Sequence, residues 1–243
     1  MSKTDATMSR KDMKEPDKFQ QAATQAASWI ATRRKHVVLV GAVVMGAVLL
    51  LAILQAANAS REERAGAAAA DLLATMAGEI SSVPLPGSQG PFFPSEEARQ
   101  RAVVDAAEKV VAAHGGTGAA QLAALALGDA HAKLREWDAA KAAYEKFLAA
   151  APKGDSLRFG ALEGVGIAEE AKGNLDAAAA AYERLGREAP AFADRADLER
   201  ARVLTRAGKA AEAKQLLAMF GERHKTSLLT AEASERLARL GGR

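Results

Sequence analysis

The hydrophobic pattern of this chain changes character several times, and each change marks a different kind of element. From Val37 to Ala57 (VVLVGAVVMGAVLLLAILQAA) the run is apolar or uncharged throughout, and no formally charged residue stands between Lys35 and Arg61. A helix of roughly 20 such residues crosses a bilayer core. Five Leu, six Val and one Ile in the run favour insertion by roughly 5 kcal/mol together, with no central charge opposing it. The run therefore reads as one transmembrane helix at 37–57, with a tail at 1–36 before it.

Upstream of the span, Phe19, Ala23, Ala26 and Ile30 recur at helical spacing. They predict a short amphipathic helix at headgroup level, with Trp29, Arg33, Arg34 and Lys35 forming the membrane-anchor flank. Downstream, 61–80 resumes a helical pattern rich in Ala, with Leu72, Leu73, Met76 and Ile80 as its larger apolar side chains. Four prolines and two glycines in 81–95 predict a loop with no regular element, and Phe92-Phe93 is read as tucked against the domain. Ser95-Glu96-Glu97 has the form of a helix start, and that helix runs to His114, where Gly115-Gly116 stops it.

Beyond Gly116 the pattern repeats. LALGDAHAKLREWDAAKAAYEKFLAAAP (125–152) aligns with EGVGIAEEAKGNLDAAAAAYERLGREAP (163–190), so that Gly128/Gly166, Asp138/Asp176, Ala140/Ala178, Tyr144/Tyr182, Glu145/Glu183 and Pro152/Pro190 pair at a constant offset. A weaker third copy carries Ala201, Gly208, Ala213, Leu217 and Phe220. The internal order of small residue, Ala, large residue and Pro resembles the tetratricopeptide repeat, a helix-turn-helix unit. Its physics suits the residues: a small side chain on helix A admits helix B closely, and the large one a turn later fills the gap. Such units leave an apolar face open and must stack. Units are expected near 121–154, 159–192 and 194–227. A capping helix over Thr230–Leu240 should present Glu232, Glu235, Arg236 and Arg239 on its outer face. The expected fold class is all-α, one N-terminal transmembrane helix followed by a tetratricopeptide-like α-solenoid. Its domains would be the tail 1–36, the span 37–57, a degenerate helical repeat at 58–120, and the repeats with their cap at 121–243.

Charge then sets orientation. Residues 1–36 hold eight Lys/Arg against four acids, whereas 37–243 hold 25 against 26, so the basic balance of the chain belongs to the tail. Positive charge beside the span retains that end in the cytoplasm, which places the C-terminal domain outside it. A nearly neutral domain carries no electrostatic footprint for nucleic acid. Ala57-Asn58-Ala59 has the form of a signal-peptidase site, but the long n-region and apolar core favour retention as an anchor.

The chain has no cysteine, which excludes disulfides, thiolate metal sites and a cysteine nucleophile. None of His36, His114, His131 and His224 stands at metal-ligand spacing from another ligand, and His131 falls where the repeat carries a packing residue. Gly115-Gly116-Thr117-Gly118 lacks the phosphate-loop pattern and follows a helix. No catalytic residue, cofactor, metal or small-molecule substrate is expected. Carrying over the groove positions of the repeat points instead to a protein-binding surface at Asp129, Lys133, Glu163, Glu170, Arg202 and Arg206.

The layout of short tail, single span and extracytoplasmic repeat domain, together with VVAAHGGTGAAQLAALALGD at 110–129, resembles the bacterial ancillary subunit of the SecYEG translocon. That resemblance implies an inner-membrane protein with a periplasmic domain whose partners are translocon subunits, periplasmic chaperones or secreted chains. The other reading is a periplasmic scaffold of envelope assembly or cell division.

Overall fold

The computed structural model describes Trp29, residues 34–81 and residues 90–242. The expected amphipathic helix, with Arg33, and residues 82–89 of the Pro-rich loop lie outside the described residues. Trp29 itself is helical and exposed. The chain divides into two units, Met1–Ala59 and Ser60–Arg243.

Helix α1 spans Arg34–Met76. In the first unit its large apolar side chains from Val38 to Leu54 are all more than half exposed. From Val38 onward α1 is long and apolar enough to cross a membrane by length and composition. Two helices were expected here, the second over 61–80; one is found, passing through Ala57-Asn58-Ala59 without a break and ending at Met76. Asn58 and Ser60 are exposed, so neither leaves a buried polar group inside the helix, and Arg64 donates to the Ser60 carbonyl.

After Met76 the chain extends. Strand β1 (Glu79–Ile80) pairs in parallel with β2 (Phe92–Phe93). This is a correction to the expectation that no regular element forms in 81–95. Gly78 permits the arrangement, because a Cβ there would lie 2.4 Å from the Phe93 ring and 2.9 Å from the Pro91 carbonyl oxygen. Arg99 fastens the corner by donating to the Gly78 carbonyl at 3.1 Å.

Helix α2 (Glu96–Ala113) starts as its sequence suggests: the Ser95 hydroxyl accepts from the Ala98 amide, and Glu96 and Glu97 sit in the first turn, where the helix dipole favours acids. It stops at Gly115-Gly116, where Gly116 has φ +85. Thr117 then caps α3 (Gly118–Lys133). Helices α4 (Trp137–Ala150), α5 (Arg158–Ala171), α6 (Leu175–Glu188), α7 (Ala193–Arg206) and α8 (Ala210–Ala218) follow, with a 3-10 turn at Pro190–Phe192 before α7. The short α9 (Phe220–Arg223) leads to α10 (Thr230–Gly241), which packs on α8.

These helices form three antiparallel pairs, α3/α4, α5/α6 and α7/α8, each packed on the next in sequence order. The turns inside the pairs are built alike. A left-handed residue occupies the same place in each, Arg135 (φ 61), Gly173 (φ 82) and Gly208 (φ 77), and the next amide bonds back to the His131, Glu169 and Leu204 carbonyls. The result is a tetratricopeptide-like α-solenoid. One apolar cluster runs from Ala124 through Tyr144, Tyr182 and Phe220 to Ala233, and a second joins Leu72 and α2 to α3.

Small residues set the spacing of the first two pairs. A Cβ on Gly128 would meet the Tyr144 ring at 2.5 Å, and one on Gly164, in the next pair, would meet the same ring at 2.4 Å. Tyr144 is thus clamped between two helix backbones. Gly166 stands against Tyr182 in the same way, at 2.8 Å. Arg158, 5% exposed, ties the junction of the pairs by donating to the Leu148 and Ala151 carbonyls and pairing with Glu188.

Candidate protein-interaction surface

The face made by the first helix of each pair carries the six residues expected to bind a partner, and the structure brings three of them into one cluster. Glu170 on α5 accepts both terminal nitrogens of Arg202 on α7, at 2.5 and 2.6 Å, and also pairs with Arg206 one turn along. This is the two-pronged geometry that guanidinium and carboxylate favour. The Arg202 hydrogen bonds hold the Glu170 carboxyl below the usual glutamate range against the opposing effect of burial. Arg202 also donates from Nε to Glu199 at 2.7 Å and is held more firmly protonated for the same reasons.

Glu163 sits two turns earlier on α5 and pairs with Arg195 at 2.6 Å. Arg195 lies over the Phe159 ring, 5.6 Å from its centroid, and Phe159 stacks on Phe192 at 3.8 Å. On α3, Asp129 accepts the Tyr144 hydroxyl at 2.8 Å, and Lys133 is exposed at the helix end. Neither belongs to the Glu170 cluster. The six residues therefore fall into separate groups: Glu170, Arg202 and Arg206 joined between α5 and α7, Glu163 paired with Arg195 earlier on α5, and Asp129 and Lys133 on α3.

Burial and the neighbouring Asp129 carboxylate push the Tyr144 hydroxyl far above its ordinary range. Tyr182 is pushed up to about 12, by burial first and by Glu170 second, with Arg202 opposing. Both stay protonated at neutral pH, and both rings fill space.

Arg236 and Arg239 were expected on the outer face of the capping helix. Arg239 is exposed as expected, while Arg236 is half-buried, and with Arg202 and Arg206 they border a cavity of about 400 Å³ between α7, α8 and α10, floored by Leu217 and Leu240. Arg236 reaches across to donate to the Leu198 carbonyl at 3.0 Å. Helix periodicity shows which residues share a face of α10, but only the docking of α10 on α8 says where that face points.

Two histidines have carboxylate partners. His131 lies 2.7 Å from Glu136, which also binds Arg101, and His224 lies 2.8 Å from Asp197, which also binds Arg223. The second pair spans 27 positions and left no signal in local spacing. Among the described residues no group of three or more His, Asp or Glu is placed to hold a metal ion.

A search against protein-family models returns no match, and none is found among curated proteins either. Solved structures similar to this chain include two crystal structures of Podosopora anserina kinesin light chain nearly identical TPR-like repeats. One is 17% identical over 60% of this chain and 78% of its own, the other 18% identical over 60% and 79%, each with a TM-score of 0.48. The repeat assignment above rests on the contacts within this chain.

Proposed function

We propose that this chain is a single-pass bacterial inner-membrane protein, with a cytoplasmic N-terminus and a periplasmic repeat domain that binds proteins. Its partners in this reading are translocon subunits, periplasmic chaperones or chains emerging from the channel, and its task is to assist translocation or handoff at the Sec translocon. The observation that carries the proposal is the pairing, in one chain, of a helix whose 37–57 stretch is apolar and uncharged, its large side chains exposed from Val38 to Leu54, with stacked helical hairpins presenting a charged face. Such hairpins bind extended segments or partner helices. The basic tail supports the orientation, and the sequence at 110–129 supports the translocon reading. No catalysis, cofactor or nucleic acid enters this function.

The test is a pull-down of the full chain through a C-terminal tag from membranes dissolved in mild detergent, read by mass spectrometry. Channel subunits with periplasmic chaperones are expected. Wall or outer-membrane assembly proteins without the channel would replace this reading with an envelope scaffold. A C-terminal alkaline phosphatase fusion tests orientation separately; an inactive fusion would reverse it.

A further inference from the structure

The cavity between α7, α8 and α10 is rich in arginine. Four guanidiniums line it, no carboxylate does, and its floor is aliphatic. We propose that it takes an acidic segment of a partner protein, an aliphatic side chain of the segment resting on Leu217 and Leu240 while adjacent carboxylates meet Arg206 and Arg239. This rests on the reading of the domain as a protein-binding module and names the chemistry that one of its sites selects.

The four arginines divide into two fixed and two available. Arg202 is held by Glu170 and Glu199, and Arg236 by the Leu198 carbonyl and Glu232, so both are set in place before any ligand arrives. Arg206 is 51% exposed and shares Glu170 with Arg202, which has Glu199 as a second partner. Arg239 is 74% exposed and, among the described residues, pairs along its own helix with Glu235. An exposed pair of that kind is weak, and an incoming carboxylate exchanges for it at little cost. A fork-shaped guanidinium favours a carboxylate that can take both prongs.

Size and shape select a peptide. A cavity of about 400 Å³ falls in the range that holds small ligands or a few side chains. A flat anionic membrane would meet the exposed Arg206 and Arg239 and leave the leucine floor unused. A segment in which acidic and aliphatic residues alternate satisfies floor and rim together.

The experiment uses the full chain in nanodiscs of zwitterionic lipid and a fluorescein-labelled peptide alternating glutamate with leucine, read by anisotropy. Binding is expected, weakened about tenfold by the double variant Arg206→Gln/Arg239→Gln and about as much by replacing the peptide's glutamates with glutamine. Leu240→Gln tests the floor and should also weaken binding, with melting temperatures confirming that each variant folds. Equal affinity for the wild type and the double variant, or no binding to the wild type, would overturn the site. Displacement of the probe by phosphatidylglycerol vesicles but not by unlabelled peptide would reassign it to lipid. The assay contains no channel, so its failure leaves the translocon reading standing, and a failed pull-down leaves a positive peptide result standing.

Discussion

Tyr144 and Tyr182 occupy the same place in successive repeats, yet the joints they fill are made differently. Tyr144 has a glycine on each side, Gly128 in its own pair and Gly164 in the next, so α3 and α5 close on it until backbone meets ring. Tyr182 has Gly166 on one side only. On the other, the position corresponding to Gly164 is Glu199, and the backbones of α5 and α7 stay further apart than those of α3 and α5. Arg202, held on its own helix by Glu199, spans that gap to Glu170 on α5. When a repeat loses its small residue the stack persists, but long charged side chains replace close backbone approach.

The largest effect should come from Gly164→Ala, which forces a methyl into the Tyr144 ring and should cost about 3 kcal/mol, measured by urea denaturation of the full chain in detergent. The corresponding Glu199→Ala should cost under about 1 kcal/mol, since it removes one part-exposed ion pair. Equal losses would erase the distinction between the joints. Arg158→Ala comes next, at about 2 kcal/mol, because it deprives the Leu148 and Ala151 carbonyls of their charged donor at the junction of the first two pairs, which Tyr144 also fills.

Acid sharpens the contrast. The Glu170 carboxyl is held low in the folded chain and returns to its ordinary value, about 4.3, on unfolding. Its contribution is therefore complete above that value and is lost as pH falls through the lower folded one, because the unfolded chain binds the proton first. Glu170→Gln should flatten part of the fall in melting temperature below about pH 5. Adding Glu169→Gln should flatten it further, since the Lys141 and Asn174 hydrogen bonds lower Glu169 in the same direction.

The smallest change is a gain. Arg135 holds the left-handed turn position that Gly173 and Gly208 fill without steric cost, so Arg135→Gly should stabilise by about 1 kcal/mol and raise the melting temperature by about 2–4 °C. An unchanged or lower melting temperature would show that contacts of the Arg135 side chain outweigh its backbone strain.

The repeat was legible because its spacing rules are local: Gly128, Ala140 and Tyr144 lie within one hairpin, and their separation encodes the helix crossing. Gly164 was not legible, because its partner Tyr144 belongs to the preceding unit and no rule of a single hairpin places it there. Glu170, Arg202 and Arg206 could be placed on one face from their repeat positions, while their mutual pairing could not, since it depends on the distance between α5 and α7. Arg195, Arg236 and Arg239 were missed as members of the surface for related reasons. Arg195 gains its role from Phe159 and Glu163 across a joint, and the α10 arginines gain theirs from a docking angle. The pairing of Glu79–Ile80 with Phe92–Phe93 was hidden by the prolines between them, which forbid regular structure in the loop without forbidding its ends from meeting.

The clamp on Tyr144 also has a mechanical consequence. A close-packed ring between two backbones resists both compression and opening, whereas an arginine bridge can lengthen or shorten by rotating its side chain while keeping its partner. The first joint is then the stiffer of the two, and the α5/α7 joint, next to the arginine-lined cavity, keeps its tie through a side chain that can rotate.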